Sequence, residues 1–251
     1  MVIFKFKNLA ANVFTRRLKF PLETFYMTRR LLCFVPVLFA ERLSAQDNFT
    51  GYLQPQISLN YDVATDYSHN FSVEQRSYLY DSDEAVLRAR QFDLVHFSKL
   101  KVRDDQSVAL GIKYRFREAF EPDRSNELRF TEQFNLTDKF GAVRIGNRFR
   151  AEQRITPDLT VHRFRYRLAI DFPLSGETLD VGEAYFVAST EGLLSVAKSI
   201  KPEWDQRLTG NFGWLLNAET KVQMGLEYRI EDYGQQPENV VFLLMTLVFS
   251  I

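Results

Sequence analysis

From residue 49 onward, apolar and polar positions alternate with a period of two. The clearest case sets Val108, Leu110, Ile112, Tyr114 and Phe116 against Ala109, Gly111, Lys113, Arg115 and Arg117. Successive side chains of an extended strand leave on opposite faces, so one face here is wholly apolar and the other small or cationic. Leu128, Phe130, Phe134 and Leu136 oppose Arg129, Thr131, Gln133 and Asn135 in the same way. Phe164, Tyr166, Leu168, Ile170 and Phe172 oppose Arg163, Arg165, Arg167, Ala169 and Asp171. A fourth set places Val222, Met224, Leu226, Tyr228 and Ile230 against Gln223, Gly225, Glu227, Arg229 and Glu231. The pattern predicts strands of about ten residues, roughly twice the usual globular length.

Weaker alternation over 49–60, 70–80, 89–102, 141–155, 178–190, 204–216 and 238–251 brings the candidates to eleven. Turn-forming residues fill 103–106, 137–139 and 217–219, and longer polar links are expected at 81–84, 119–126, 191–202 and 231–238. Short and long links then roughly alternate, as with tight turns at one end of a barrel and loops at the other. Bacterial single-chain barrels carry even strand numbers, so ten to twelve strands are expected. No Pro/Gly/Ser-rich linker divides the chain, and residues 46–251 read as one domain.

A soluble sandwich alternates too, and periodicity alone does not say which face points inward. Three features favour a membrane. The strands are long enough to cross about 25 Å of apolar thickness when tilted by roughly 45°. Aromatics crowd the apolar faces and strand ends (Tyr80, Tyr114, Phe116, Phe164, Phe172, Trp204, Trp214, Tyr228), as interfacial girdles do. The sequence also ends inside an apolar strand, 240–251, closing on Phe249-Ser250-Ile251. Because every backbone group inside a bilayer must be paired internally, an all-β spanning structure has to close. The expected fold is therefore an all-β, closed, antiparallel, up-and-down transmembrane β-barrel. Its surroundings would be outer-membrane lipid, and Val240 to Ile251 would be the strand presented to the barrel-assembly machinery. Gly111, Gly146, Gly182 and Gly225 fall on the polar side and would make room in a narrow lumen. Glu132 breaks its apolar face and is expected near an interface.

Composition narrows this further. The chain has 251 residues, 45% apolar and 25% charged, with 32 basic against 32 acidic side chains. That hydrophobic fraction excludes a disordered chain, and neutrality argues against a polybasic nucleic-acid binder. The two longest charge-free runs, 48–61 and 239–251, have 14 and 13 residues, too short for a membrane helix. The balance also conceals two pieces. Residues 1–45 hold eight basic and two acidic side chains, and within them Met27-Thr28-Arg29-Arg30 precedes the apolar run 31–40 and Leu43-Ser44-Ala45. This is the order of a cleavable signal, with the start at Met27 or earlier and the cut near Ala45. An amphipathic helix packed on the domain is the alternative. Removing 1–45 leaves 24 basic and 30 acidic residues, a net charge of −6, and takes away Cys33, the single cysteine.

The string Gly146-Asn147-Arg148-Phe149-Arg150-Ala151-Glu152-Gln153-Arg154, followed by His162-Arg163-Phe164-Arg165-Tyr166-Arg167-Leu168, resembles paired strands of the DUF2490 family. The opening strand pair, with Gln75-Arg76, is similar too. The resemblance spans roughly residues 46–251. It implies a Gram-negative outer-membrane β-barrel at the cell surface and no particular activity.

Candidate chemistry lies on the polar faces. Arg115, Arg117, Arg129, Arg148, Arg150, Glu152, Arg154, Arg163, Arg165, Arg167, Glu227 and Arg229 would form a lumen charge network. It either binds or passes anions, or plugs the barrel as arginine rows neutralised by Glu74, Glu152, Glu183, Glu227 and Glu231. A lipid-modifying hydrolase on the barrel wall would use His96 with Ser98, or His162 with Ser189, but no nucleophile elbow surrounds either serine. A soluble lipocalin-like carrier would instead line a cavity with the apolar faces. His69 is placed in a turn. Histidines far apart in sequence offer no zinc pattern, the acids at 81–84 and 104–105 read as solvated turns, and no cofactor is expected.

Overall fold

The computed structural model describes residues 49–198 and 200–251. The leader expected over 1–45, with its cut and Cys33, lies outside them. The described residues form eleven strands: β1 (Phe49–Ala64), β2 (Tyr67–Asp81), β3 (Glu84–Arg103), β4 (Gln106–Phe116), β5 (Glu127–Phe140), β6 (Val143–Ile155), β7 (Thr160–Pro173), β8 (Ala184–Ala197), β9 (Ile200–Leu215), β10 (Thr220–Glu231) and β11 (Glu238–Ser250). Each pairs antiparallel with its sequence neighbour, and β1 meets β11 to close the barrel.

Eleven strands fall within the expected ten to twelve, and the seam corrects only the even parity and the antiparallel closure. With an odd number of up-and-down strands the first and last run the same way, so closure has to be parallel. β1 and β11 pair in parallel from Phe49↔Asn239 to Asn60↔Ser250. Beyond that register the Ile251 N–H donates to Asn60 O and the Asp62 N–H to Ile251 O, both at 3.0 Å. No sheet edge is left open at the seam, which removes the liability of an unpaired strand.

The links also differ from the alternation of short and long. Each end of the barrel carries a single ten-residue loop, 117–126 at one end and 174–183 at the other, among links of two to six residues. The Thr137-Asp138-Lys139 segment stays within β5, and the turn falls at Gly141, whose φ of +59° a glycine adopts without penalty. β8 begins at Ala184 rather than 178 because Gly176 and Gly182 take positive φ in the preceding loop. Gly182 therefore does not line the lumen. The expected link 191–202 is mostly strand, since residues 191–197 pair with β7 and most of them also with β9. Between β2 and β3, Ser82 and Asp83 hold φ of 52° and 65°, the two left-handed positions of a tight hairpin.

The faces are reversed relative to a soluble protein. On β4, Leu110 and Ile112 are 67% and 42% exposed, whereas Arg115 is 6% exposed. Phe71, Phe130, Phe149, Phe164, Leu208 and Leu226 also stand on the outside. The interior is mostly polar, with Val95, Phe97 and Ala109 among its lining, and near one mouth Tyr52, Tyr78, Val240 and Phe242 form the one apolar cluster among the described residues. A carrier whose apolar faces line its cavity is thereby turned inside out: here those faces look outward.

Candidate functional site

The lumen encloses a cavity of about 700 Å³. All twelve network residues anticipated from the sequence line it, eleven from inward positions of their strands and Arg117 from just past the end of β4. Fifteen lysine and arginine side chains line this cavity against six glutamates. Asp93, Glu121, Glu127 and Asp205 pair with them from behind the lining, and cations remain in excess.

Register between strands assembles the charges into a lattice. Arg129 contacts Glu127 at 2.5 Å and Glu152 at 3.4 Å. Arg165 bridges Glu152 and Glu191 at 2.8 and 2.6 Å, and Glu191 faces Arg207 at 3.7 Å. The chain Glu127–Arg129–Glu152–Arg165–Glu191–Arg207 thus runs across β5 to β9. Arg154 reaches back to Glu127 at 2.7 Å, Arg163 lies 3.8 Å from Asp205, and Arg229 contacts Glu227 and Glu231 at 2.5 and 3.3 Å. A second knot joins β2, β3 and β4: Asp93 accepts from Arg115 Nε and Nη2 at 2.9 and 2.8 Å and from Lys113 at 3.2 Å. Lys113 also donates to Glu74 at 2.8 Å. Low local dielectric makes such pairs strong and makes any unpaired member costly.

At the mouth, Arg229 and Arg76 stack on Phe242 at 3.8 and 4.7 Å to the ring centroid, and Arg90 on Tyr52 and Tyr78 at 5.0 and 5.4 Å. Glu121, in the loop after β4, accepts from Tyr78 Oη at 2.7 Å. Arg117, one residue past β4, donates to Gln91 at 3.2 Å, and its guanidinium is pushed down to about 10 by burial and then by Arg115 and Arg90. At the opposite end, Lys101 beside Asp104 holds that turn carboxyl below its ordinary value.

The remaining anticipated cations meet neutral partners. Arg148 Nε donates to Asn135 Oδ1 at 3.0 Å, and Arg150 Nε to Gln133 Oε1 at 3.0 Å, with Glu152 at 3.6 Å. Arg148 lies directly opposite Arg167, and Arg150 opposite Arg165. Buried Nε atoms of Arg167 and Arg207 have no acceptor among the described residues. Glu183, expected as a neutraliser, sits in the 174–183 loop and accepts from the Asp180 N–H.

Sequence reasoning missed Asp93, Glu127, Glu191, Asp205 and Arg207, and left Lys113 out of the network although it stands on the cationic face. Their signal was present: Gln91, Asp93, Val95 and Phe97 alternate with Phe92, Leu94 and His96, and Asp205, Arg207 and Thr209 with Trp204 and Leu208.

On the outer face, His69 belongs to β2 rather than to a turn, and cross-strand register sets it against Ser98. Ser98 Oγ lies 3.2 Å from His69 Nδ1, which also faces His96 Nε2 at 3.0 Å, while Tyr67 Oη donates to Ser98 Oγ at 3.2 Å. The anticipated His162 and Ser189 are not brought together: His162 pairs with Val196 and Ser189 with Ala169. Beside Ser98 runs an outward concavity of about 1210 Å³, lined by Leu110, Phe134, Phe149, Phe164 and Trp204, with Glu132 within it. Glu132 is six residues into the fourteen of β5, between Leu110 and Ala151, rather than at the rim.

A family model described as protein of unknown function, DUF2490, matches residues 55–239. No curated protein matches the chain. Among solved structures, the chain is similar to in-vitro folded OmpT, an outer membrane protein of Vibrio cholerae, with a TM-score of 0.37 and 9% identity over 68% of this chain and 77% of that one. An anion-selective porin from Comamonas acidovorans gives 0.36 and 12%, over 73% of this chain and 53% of the porin. The siderophore receptor PirA from Pseudomonas aeruginosa gives 0.29 and 17%, over 69% and 34%. The barrel assignment rests on this chain's own strand pairing.

Proposed function

The chain belongs to the DUF2490 family, described only as of unknown function, and on that premise we propose an outer-membrane β-barrel whose lumen is braced shut by ion pairs. The observation that carries the reading is the reversal of faces: apolar side chains stand outside and the charges inside. In water that outer surface would be a large aggregation-prone patch, whereas in lipid it is the required one. Arginines turned toward lipid would cost about 2–4 kcal/mol each at the midplane, so their placement on the inward face supports this environment. The apolar strand β11 is the segment the barrel-assembly machinery would engage, and outer-membrane lipid is the surrounding partner.

The lattice from Glu127 to Arg207 supports a plug for bulk solutes rather than an open pore, because its members span the narrow interior with side chains 2–19% exposed. Membrane fractionation with heat-dependent gel mobility tests the environment: a soluble protein without a mobility shift would overturn it. Planar-bilayer recording tests the plug, and sustained large conductance steps would overturn that part.

A lipid hydrolase on the outer wall has one observation in its favour, the Ser98–His69 contact beside the apolar concavity. Against it, Ser98 sits in a strand paired on both sides, so its backbone amides serve the ladder rather than an oxyanion. Unchanged membrane lipids in cells making His69→Ala protein in place of wild type would remove it.

A further inference from the structure

We propose that the lumen contains a binding site for a small phosphate dianion, held between Arg148, Arg167 and Arg207. The proposal deepens the reading of a charged barrel lumen and rests on it. The three arginines belong to one cross-strand row over four neighbouring strands, Arg148↔Arg167↔Glu191↔Arg207. Neighbouring strands lie about 4.8 Å apart, so the three guanidinium groups can converge on one small ligand.

A lattice built only to brace the barrel would alternate signs across the strands, as Asp93 and Arg115 do. This row departs from that rule. Arg148 and Arg167 are directly opposite like charges, an arrangement that destabilises a sheet when nothing neutralises it. Glu191 is the one acid in the row, and its Oε2 is committed to Arg165 at 2.6 Å, with Arg207 Nη1 at 3.7 Å. Arg148 Nε meets the neutral Asn135 amide. Arg207 is 8% exposed, and its Nε, like that of Arg167, has no acceptor among the described residues. Buried cations short of both charge and acceptors are expensive. A phosphate dianion supplies both, with oxygens that suit guanidinium forks. All three side chains line the 700 Å³ cavity, which has room for it.

The test uses the full barrel folded in detergent, with heat-dependent mobility as the check on folding. Calorimetry titrates sodium phosphate against a sodium chloride control of equal ionic strength, and a separate arm titrates a short-chain phosphatidic acid. Saturable binding is expected. Arg167→Gln or Arg207→Gln should weaken it at least about tenfold, as loss of a charge-assisted contact does. Arg88→Gln, at the rim beside Asp81, should bind as wild type. Tighter phosphate binding assigns a free solute, and tighter phosphatidic acid binding a lipid headgroup. Absence of saturable heat in both arms overturns the site. If a glutamine variant does not fold, Arg167→Lys keeps the charge but loses the fork, and unchanged affinity there overturns it equally. Binding is read in detergent, so this site and the outer-membrane location fail separately.

Discussion

Asp93→Asn should destabilise the folded barrel by about 3–5 kcal/mol, the cost of removing one partner from a buried ion pair. Asp93 is 1% exposed and takes two hydrogen bonds from Arg115, at 2.9 and 2.8 Å, and one from Lys113 at 3.2 Å. Lys113 keeps Glu74 at 2.8 Å, but Arg115 has no other ion-pair partner among the described residues. Asparagine preserves the shape and one acceptor, so the loss isolates charge rather than packing. Asp171→Asn is the matched comparison: its pair with Arg144 is also short, at 2.9 Å, but its two side chains are 24% and 59% exposed. Solvent screening limits that loss to about 0–1 kcal/mol. Urea unfolding in lipid vesicles, followed by the fluorescence of Trp204 and Trp214, measures both. Equal, sub-kilocalorie losses would mean that water reaches Asp93 as freely as the rim, and that the pair is not buried. Replacing the pair together, by Asp93→Leu with Arg115→Met, should recover most of the loss, because apolar substitutes for a complete buried pair are often neutral.

Glu132→Leu should stabilise the barrel in lipid by about 1–2 kcal/mol in the same unfolding assay, because this carboxylate lies within an apolar face. A destabilisation would mean that Glu132 has a polar partner in the membrane. Gly111→Ala should cost about 1–3 kcal/mol, since a Cβ there runs into the Phe97 ring, and adding Phe97→Ala should relieve the clash. Equal stability of the single and double variants would deny that contact. Cysteines replacing Ile57 and Leu247, which are paired across the seam, should cross-link on mild oxidation, whereas cysteines at Ile57 and Met245 should do so poorly. The opposite preference would refute the parallel register.

The period-two pattern made the strands legible because side-chain direction depends only on local geometry. It located the central stretch of four strands and placed every anticipated arginine on the inward face. What it could not carry was closure. Strand parity and the parallel seam depend on how β1 meets β11, nearly two hundred residues away in sequence. The end of β8 was misplaced because Gly192 and Ser195 are turn-forming types, yet β7 and β9 on either side hold the segment extended. The arginines were visible as rows, but their partners were not. Which acid meets which base is set by cross-strand register, so Glu191 and Asp205 gained a role only once β7, β8 and β9 were aligned. The same register moved the Ser98 contact from His96 to His69.

The two tryptophans test the central claim, that the apolar faces meet lipid. Trp204 and Trp214 stand outward on β9, 45% and 40% exposed, ten residues apart on one face. That separation is about 33 Å along the strand, or about 25 Å along the bilayer normal at a tilt near 40°. It matches the height of an apolar band and, in a bilayer, would put one indole at each interface. Their fluorescence should be quenched by lipids brominated near the headgroup end of the acyl chains, and less by lipids brominated near the chain ends. No quenching by either lipid would contradict the account.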